Sequence, residues 1–149
     1  MNTLIVYDSV YGNTEQTALA IGNACGSEGE VHTIRVGDLR PEQLKGLSLL
    51  IVGSPTQGGR PTPAIQEFFN EVPAPAIEGV RAAAFDTRLS TRWVGIFGYA
   101  AGRIASRLKG KGATLVAPPE AFFVRDKEGP LKDGELERAA DWARLLMKA

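Results

Sequence analysis

A single cysteine, Cys25, and a single histidine, His32, set the first limits on the chemistry this chain can perform. One cysteine excludes an intrachain disulfide and fits a reducing compartment. Cys25 falls on the apolar side of an expected helix, with no histidine or cation near it in sequence, so it reads as core filler rather than as a nucleophile. A phosphatase of the kind that carries an arginine six residues after its cysteine is excluded as well, because Val31 holds that position. His32 falls in an expected strand with no metal-ligand spacing around it, which favours a structural role. Long apolar runs are also missing. Leu4 to Tyr7 is too short for a signal peptide or a membrane span, and Met1-Asn2-Thr3 carries no positive charge. The expected setting is therefore cytoplasmic, with no membrane partner. Nor is there an excess of one charge: 17 basic and 17 acidic residues cancel, which gives no support for nucleic-acid binding. Lys109 with Lys111 reads as solvated surface. No Gly-Lys-Ser/Thr phosphate loop and no Gly-x-Gly-x-x-Gly dinucleotide loop is present.

What the chain does have is enough length for one well-buried domain, 149 residues, and a regular alternation of strand and helix with no linker or internal repeat. Leu4–Tyr7, Glu30–Val36, Leu49–Val52 and Val80–Phe85 read as strands. A fifth strand is expected in two pieces, 113–116 and 121–124, interrupted at Pro118-Pro119. Helices are expected over Thr14–Gly26, Thr62–Val72, Phe97–Lys109 and Asp133–Lys148, with a short one over Pro41–Gly46. Thr62 is the expected N-cap and Pro63 the first helical residue of the second long helix. Apolar spacing puts Ala18, Ile21 and Cys25 inside, then Ile65, Phe68, Phe69 and Val72, and in the last helix Leu136, Ala140, Ala143 and Met147. The strands are apolar runs rather than alternations, as expected when helices cover both faces. The pattern implies an α/β fold with a doubly wound parallel sheet. Five strands in this length favour the order 2-1-3-4-5.

In such sheets ligands bind beyond the carboxyl ends of the strands, at the switch point between strands 1 and 3. Three loops are therefore singled out. The first is Asp8 to Thr14, where Ser9, Val10, Tyr11, Gly12, Asn13 and Thr14 precede a helix. A helix N-terminus offers unpaired amides and the positive end of the helix dipole, which suits a phosphate. Ser9 and Thr14 add hydroxyls, and Gly12 lets the backbone turn close to an anion. Taken alone, this loop also fits a plain capped turn. The second is Gly53 to Pro61, with Pro55, Thr56, Gln57, Gly58 and Gly59. The third is Asp86 to Trp93, where Thr87 and Arg88 are the candidates and Asp86 fits better as an internal brace than as a ligand contact.

Ser9-Val10-Tyr11-Gly12-Asn13-Thr14-Glu15 resembles the phosphate-binding loop of flavodoxins, which commonly reads Ser/Thr-x-Thr-Gly-Asn-Thr-Glu, and Gly53-Ser54-Pro55-Thr56 is similar to the family's second flavin loop. The resemblance covers nearly all of the chain. It implies a flavodoxin-like domain holding one flavin mononucleotide (FMN), with its phosphate on residues 9–14 and its ring against 55–59, 87 and 88. It implies that a carbonyl at Gly58 or Gly59 can turn toward flavin N5, a motion glycine tolerates. It also implies an electron carrier rather than a stand-alone enzyme, a monomer or weak dimer, passing electrons from a reductase donor to an acceptor protein.

The chain departs from the family in places. Tyr11 replaces the usual hydroxyl residue before the glycine. The second loop has no aromatic to stack on a flavin, and the third has only Trp93. The balanced charge also differs from the acidic character typical of flavodoxins. Arg60, Arg88 and Arg92 all fall in expected flavin-side loops. A unit charge at about 4 Å is worth roughly 4 kcal/mol at an effective dielectric of about 20, so a cation near the ring would ease the second reduction step. An alternative is an FMN-dependent oxidoreductase that reduces quinones with NAD(P)H. A flavin-free signalling module is a third reading, because Asp8 and Asp86 end strands. However, it lacks the paired acids after strand 1 and the lysine after strand 5.

Overall fold

Strands made of unbroken apolar runs can be buried only between two helical layers, and the computed structural model, which describes residues 1–90 and 99–149, has this arrangement. Strands β1 (Asn2–Tyr7), β3 (Leu49–Pro55) and β4 (Arg81–Leu89) form the centre of the sheet and β2 (Glu30–Arg35) one edge. At the other edge, β5 (Thr114–Leu115) pairs with the start of β4 and β6 (Glu120–Val124) with its end. All pairings are parallel, in the order β2-β1-β3-β4-β5, with Pro118-Pro119 splitting the last strand as expected. The order in which strands are added reverses between β1 and β3, where Tyr7 lies level with Arg35 on one side and Gly53 on the other.

On one face, helices α2 (Pro63–Glu71) and α4 (Ala100–Gly110), with the short α3 (Ala74–Ile77), cover Leu4, Val6, Leu50 and Val52. On the other, α1 (Asn13–Cys25) and α5 (Glu135–Lys148) cover Ile5, Leu49, Ile51 and Phe85. Thr62 caps α2 by accepting the Ile65 amide at 3.4 Å, and Pro63 opens the helix. Cys25 is fully buried, and burial pushes its thiol from 9.0 up to about 11, so it carries no reactive thiolate. Among the described residues no helix is long and apolar enough to cross a membrane.

Two expectations need correction. Strand β4 runs four residues beyond Phe85, to Leu89, because β6 continues to pair with it. Asp86, Thr87 and Arg88 are thus strand residues, not loop residues. Helix α5 is also rotated from its expected phase. Leu136 is 39% exposed, and the buried positions are Glu135, Ala139, Trp142, Ala143 and Leu146. Trp142 sets this phase by packing edge-on against Phe85 and Phe122, with ring centroids 6.0 and 5.8 Å away. The Glu135 carboxylate fixes the helix start by accepting the Phe123 amide at 2.7 Å. Arg138 and that amide hold the Glu135 carboxyl below its usual range.

Candidate functional site

A cavity of about 480 Å³ opens beyond the carboxyl ends of β1, β3 and β4, within the ordinary size for a cofactor site. Ser9, Val10, Tyr11, Asn13 and Thr14 form its first wall, and Pro55, Thr56, Gln57, Gly58 and Gly59 its second. Thr87 and Arg88 line it between them, joined by Leu89, Val124 and Lys127. Of the candidate contacts Ser9–Thr14, Pro55–Gly59, Thr87 and Arg88, Gly12 is the one outside the lining.

The first wall is a backbone turn held by its own side chains. Ser9 Oγ accepts the Gly12 amide at 3.1 Å and the Glu15 amide at 3.3 Å, which leaves its proton free to donate. The first regular helical bond runs from the Gln16 amide to the Gly12 carbonyl. Among the described residues, the amides of Tyr11, Asn13 and Thr14 have no acceptor. Gly12 is the N-cap of α1 with φ of 92°, and a Cβ there would meet nothing within 4 Å. Its backbone sign, not close packing, is what demands glycine. Thr14 is 1% exposed, and its hydroxyl lies 2.7 Å from that of Thr87.

Side chains from distant elements brace this turn. Arg35, at the end of β2, donates to Asp8 Oδ1, to the Ser9 carbonyl and to Glu15 Oε2. Tyr7 donates to the same Glu15 oxygen at 2.7 Å, and burial followed by that bond pushes the phenol up to about 12. Asn13 turns its amide to the Glu128 carbonyl at 3.2 Å and so holds the 126–129 turn, with Lys127, beside the cavity.

The second wall is a two-residue hairpin. Gln57 and Arg60 exchange backbone bonds of 2.8 and 3.0 Å around Gly58 and Gly59, which have φ of 57° and 79°. Positive φ at both central positions is what a type I′ turn requires, hence the paired glycines. Arg103 Nε donates to the Gly59 carbonyl at 2.9 Å. Thr56 ties the base down: its amide donates to the Thr87 carbonyl at 3.0 Å, and its hydroxyl accepts the Ala100 amide at 3.1 Å.

Between the walls, Asp86 is fully buried and acts as the expected brace. It takes Arg88 through both oxygens at 2.8 and 2.9 Å and accepts the Ala101 amide at the start of α4. Arg88 in turn lies over the Tyr99 ring, 3.3 Å from its centroid. Arg88 is therefore a compensated charge and not the free cation its sequence position suggests. Arg60 lies outside the cavity lining. Arg92 and Trp93 lie outside the described residues. Arg88 and Lys127 are the charged residues of the lining, which contains no carboxylate among the described residues. Val124 follows from the rule that strand ends bind ligands. Lys127 and Arg35 reach the site only through tertiary contacts and carry no local signal.

Unpaired amides at a helix start, hydroxyls beside them and a cavity without carboxylates fit a phosphate-bearing cofactor. Comparison with known proteins agrees. The flavodoxin family model matches residues 5–142. No curated protein sequence matches significantly. Among solved structures, an archaeal flavodoxin is 25% identical, with a TM-score of 0.84 over 99% of this chain and 98% of that one. Flavodoxin 1 of Bacillus cereus is 20% identical, with a TM-score of 0.82 over 99% and 98%. Two-electron-reduced flavodoxin of Megasphaera elsdenii is 23% identical, with a TM-score of 0.73 over 99% of both chains. With its sheet order, its cavity and a match across most of its length, this chain belongs to the flavodoxin family of FMN-binding electron-transfer proteins.

Proposed function

We propose that the chain carries electrons between a reductase and an acceptor protein in the cytoplasm, as a monomer or weak dimer, using FMN held in the 480 Å³ cavity. When bound, FMN supplies the electron-accepting and electron-donating ring, and the protein supplies binding and electrostatics. The observation that carries this reading is the set of amides at Tyr11, Asn13 and Thr14 without acceptors, in a loop that contains no cation. These amides, with the free proton of Ser9 and one proton of the Thr14–Thr87 pair, would hold the phosphate. Val10 and Gly12 shape the turn that presents them.

Pro55, Thr56, Gln57, Gly58 and Gly59 would hold the ring side of the cofactor. Because Arg103 grips the Gly59 carbonyl, the peptide between Gly58 and Gly59 is the one left to reorient in the hairpin. Thr87 would act through its hydroxyl at the phosphate side rather than through its carbonyl, which Thr56 occupies. Arg88 would flank the site as half of a neutral pair, so a positive shift of the second reduction step would have to come from other cations. No buried nucleophile or acid–base pair lines the cavity among the described residues, so the flavin would carry the chemistry whether the protein is a carrier or an oxidoreductase.

The purified protein should be yellow, with FMN as the cofactor by chromatography, and the apo-protein should take up FMN in a fluorescence titration. It should not turn over NAD(P)H with a quinone unless a reductase is added. Steady turnover without one would replace the carrier by the oxidoreductase.

A further inference from the structure

The zero net charge conceals a segregation along the chain. Residues 1–34 carry Asp8, Glu15, Glu28 and Glu30 with no lysine or arginine, whereas residues 87–119 carry Arg88, Arg92, Arg103, Arg107, Lys109 and Lys111 with no aspartate or glutamate. Among the described residues, β2, with Glu30, forms one edge of the sheet, and β5, which follows the basic helix α4, lies at the other.

On the side of that helix, a cleft of about 570 Å³ runs between α2 and α4, with Arg60, Arg103 and Arg107 on its walls and Phe69 and Ile104 at its floor. Among the described residues, no carboxylate lines it. Helix α2 contributes to this side the neutral amides of Gln66, in the lining, and Asn70, which accepts from Arg107 at 2.8 Å. Its carboxylates Glu67 and Glu71 line a different groove, beside Val36 and Leu39. Arg60 and Arg107 form no ion pair among the described residues. The cleft also shares a wall with the flavin cavity. Gly59 lines the cavity and the next residue, Arg60, lines the cleft, while Tyr99 in the cleft carries the Arg88 guanidinium that faces the cavity.

Resting on the carrier reading, we propose that this cleft is the docking site for an acidic face of a redox protein. Arg60 and Arg107 are the principal charge contacts, and the docked partner lies against the hairpin 57–60. Arg103 and Arg107 stand one turn apart on α4, roughly 6 Å at 1.5 Å per residue, and Arg60 adds a third cation from the hairpin. Three separate cations suit a group of carboxylates on a protein face. Complementary fields of this kind act mainly on the rate of encounter and are screened by salt. Both arginines are exposed, so glutamine in their place leaves the core intact, and the amide introduced by R107Q keeps a donor for Asn70.

The test uses the FMN-loaded protein and its R60Q/R107Q variant, with a small acidic [2Fe–2S] ferredoxin and a basic c-type cytochrome as probes. Stopped-flow electron transfer is followed from about 10 mM to about 500 mM salt, and calorimetry reads binding of the oxidised ferredoxin. The ferredoxin rate should fall at least about tenfold with salt and about tenfold in the variant at low salt, while the cytochrome rate should hold or rise. Ferredoxin binding should weaken in the double variant and, to a lesser degree, in R107Q alone, which lies outside the hairpin and should leave FMN affinity unchanged. A ferredoxin rate within about twofold in the variant, or one indifferent to salt, overturns the proposal. So does tight pyrophosphate binding at constant ionic strength that the variant loses while ferredoxin binding persists, because that marks a small-anion site. Docking that the variant abolishes, without electron transfer, upholds the surface and sinks the carrier reading instead.

Discussion

The two walls of the cavity are built on opposite plans. Residues 8–14 form a turn whose hydroxyls and amides are placed by hydrogen bonds from β2, β4 and the 126–129 turn, with no cation in the loop. Residues 57–60 form a hairpin with two glycines at positive φ, held at its base by Thr56 and at its tip by one arginine from α4. The first wall is preorganised and its amides do not titrate, so any pH dependence of its grip on a phosphate is expected to come from the phosphate's own second ionisation, at about pH 6. The second is adjustable, because the peptide between two glycines can rotate at small steric cost. On the function proposed above, affinity and redox tuning would fall to separate backbone segments, and mutations should separate them.

The sharpest way to break that separation is to remove what both walls lean on. Asp86→Ala leaves the largely covered Arg88 without its partner and the Ala101 amide without its acceptor. Loss of one member of such a pair is expected to cost about 3–5 kcal/mol, measured by urea unfolding. A loss below about 1 kcal/mol would show that Asp86 braces neither wall. Next in size is the first wall alone. Thr14→Val strands the Thr87 hydroxyl and should weaken FMN binding by about tenfold to a hundredfold, or about 1–3 kcal/mol, in a fluorescence titration. Adding Thr87→Val should restore part of the stability but not the affinity.

The loops themselves were legible in the sequence because their chemistry is local. Gly12 before a helix, paired glycines between strand and helix, and Thr62-Pro63 at a helix start each act through the residues beside them. The core and the charge pairing were less so. Asp86 and Arg88 fall on one face of a strand by alternation, but ending β4 at Phe85 hid that relation, since only pairing with β6 extends it. The phase of α5 depended on Trp142 meeting Phe85 and Phe122, a tertiary choice that outweighs the spacing of Leu136 and Met147. Arg35 and Lys127 reach the site across the fold.

A smaller effect sharpens the comparison further. Gly12→Ala meets no steric obstacle, so only the left-handed backbone penalty of about 1–2 kcal/mol should appear, as lower thermal stability and weaker FMN binding together. A much larger loss would mean that the anion approaches the Cβ position itself. Smallest is Gly58→Ala, where φ is 57° and the space is open. About 1 kcal/mol of strain should leave FMN affinity within a few-fold while moving the one-electron potentials by on the order of 40 mV, read by potentiometric titration. Equal shifts in affinity and potential would erase the distinction between the walls.

The hydroxyl pair of Thr14 and Thr87 has a directional property. Two hydroxyls side by side own two protons, and their mutual bond consumes one. Whichever residue donates inward, the other keeps a spare proton, so the donor can exchange sides by simple rotation of two hydrogens. A guest oxygen beside the pair could thus be met from β4 or from α1 without any heavy atom having to move.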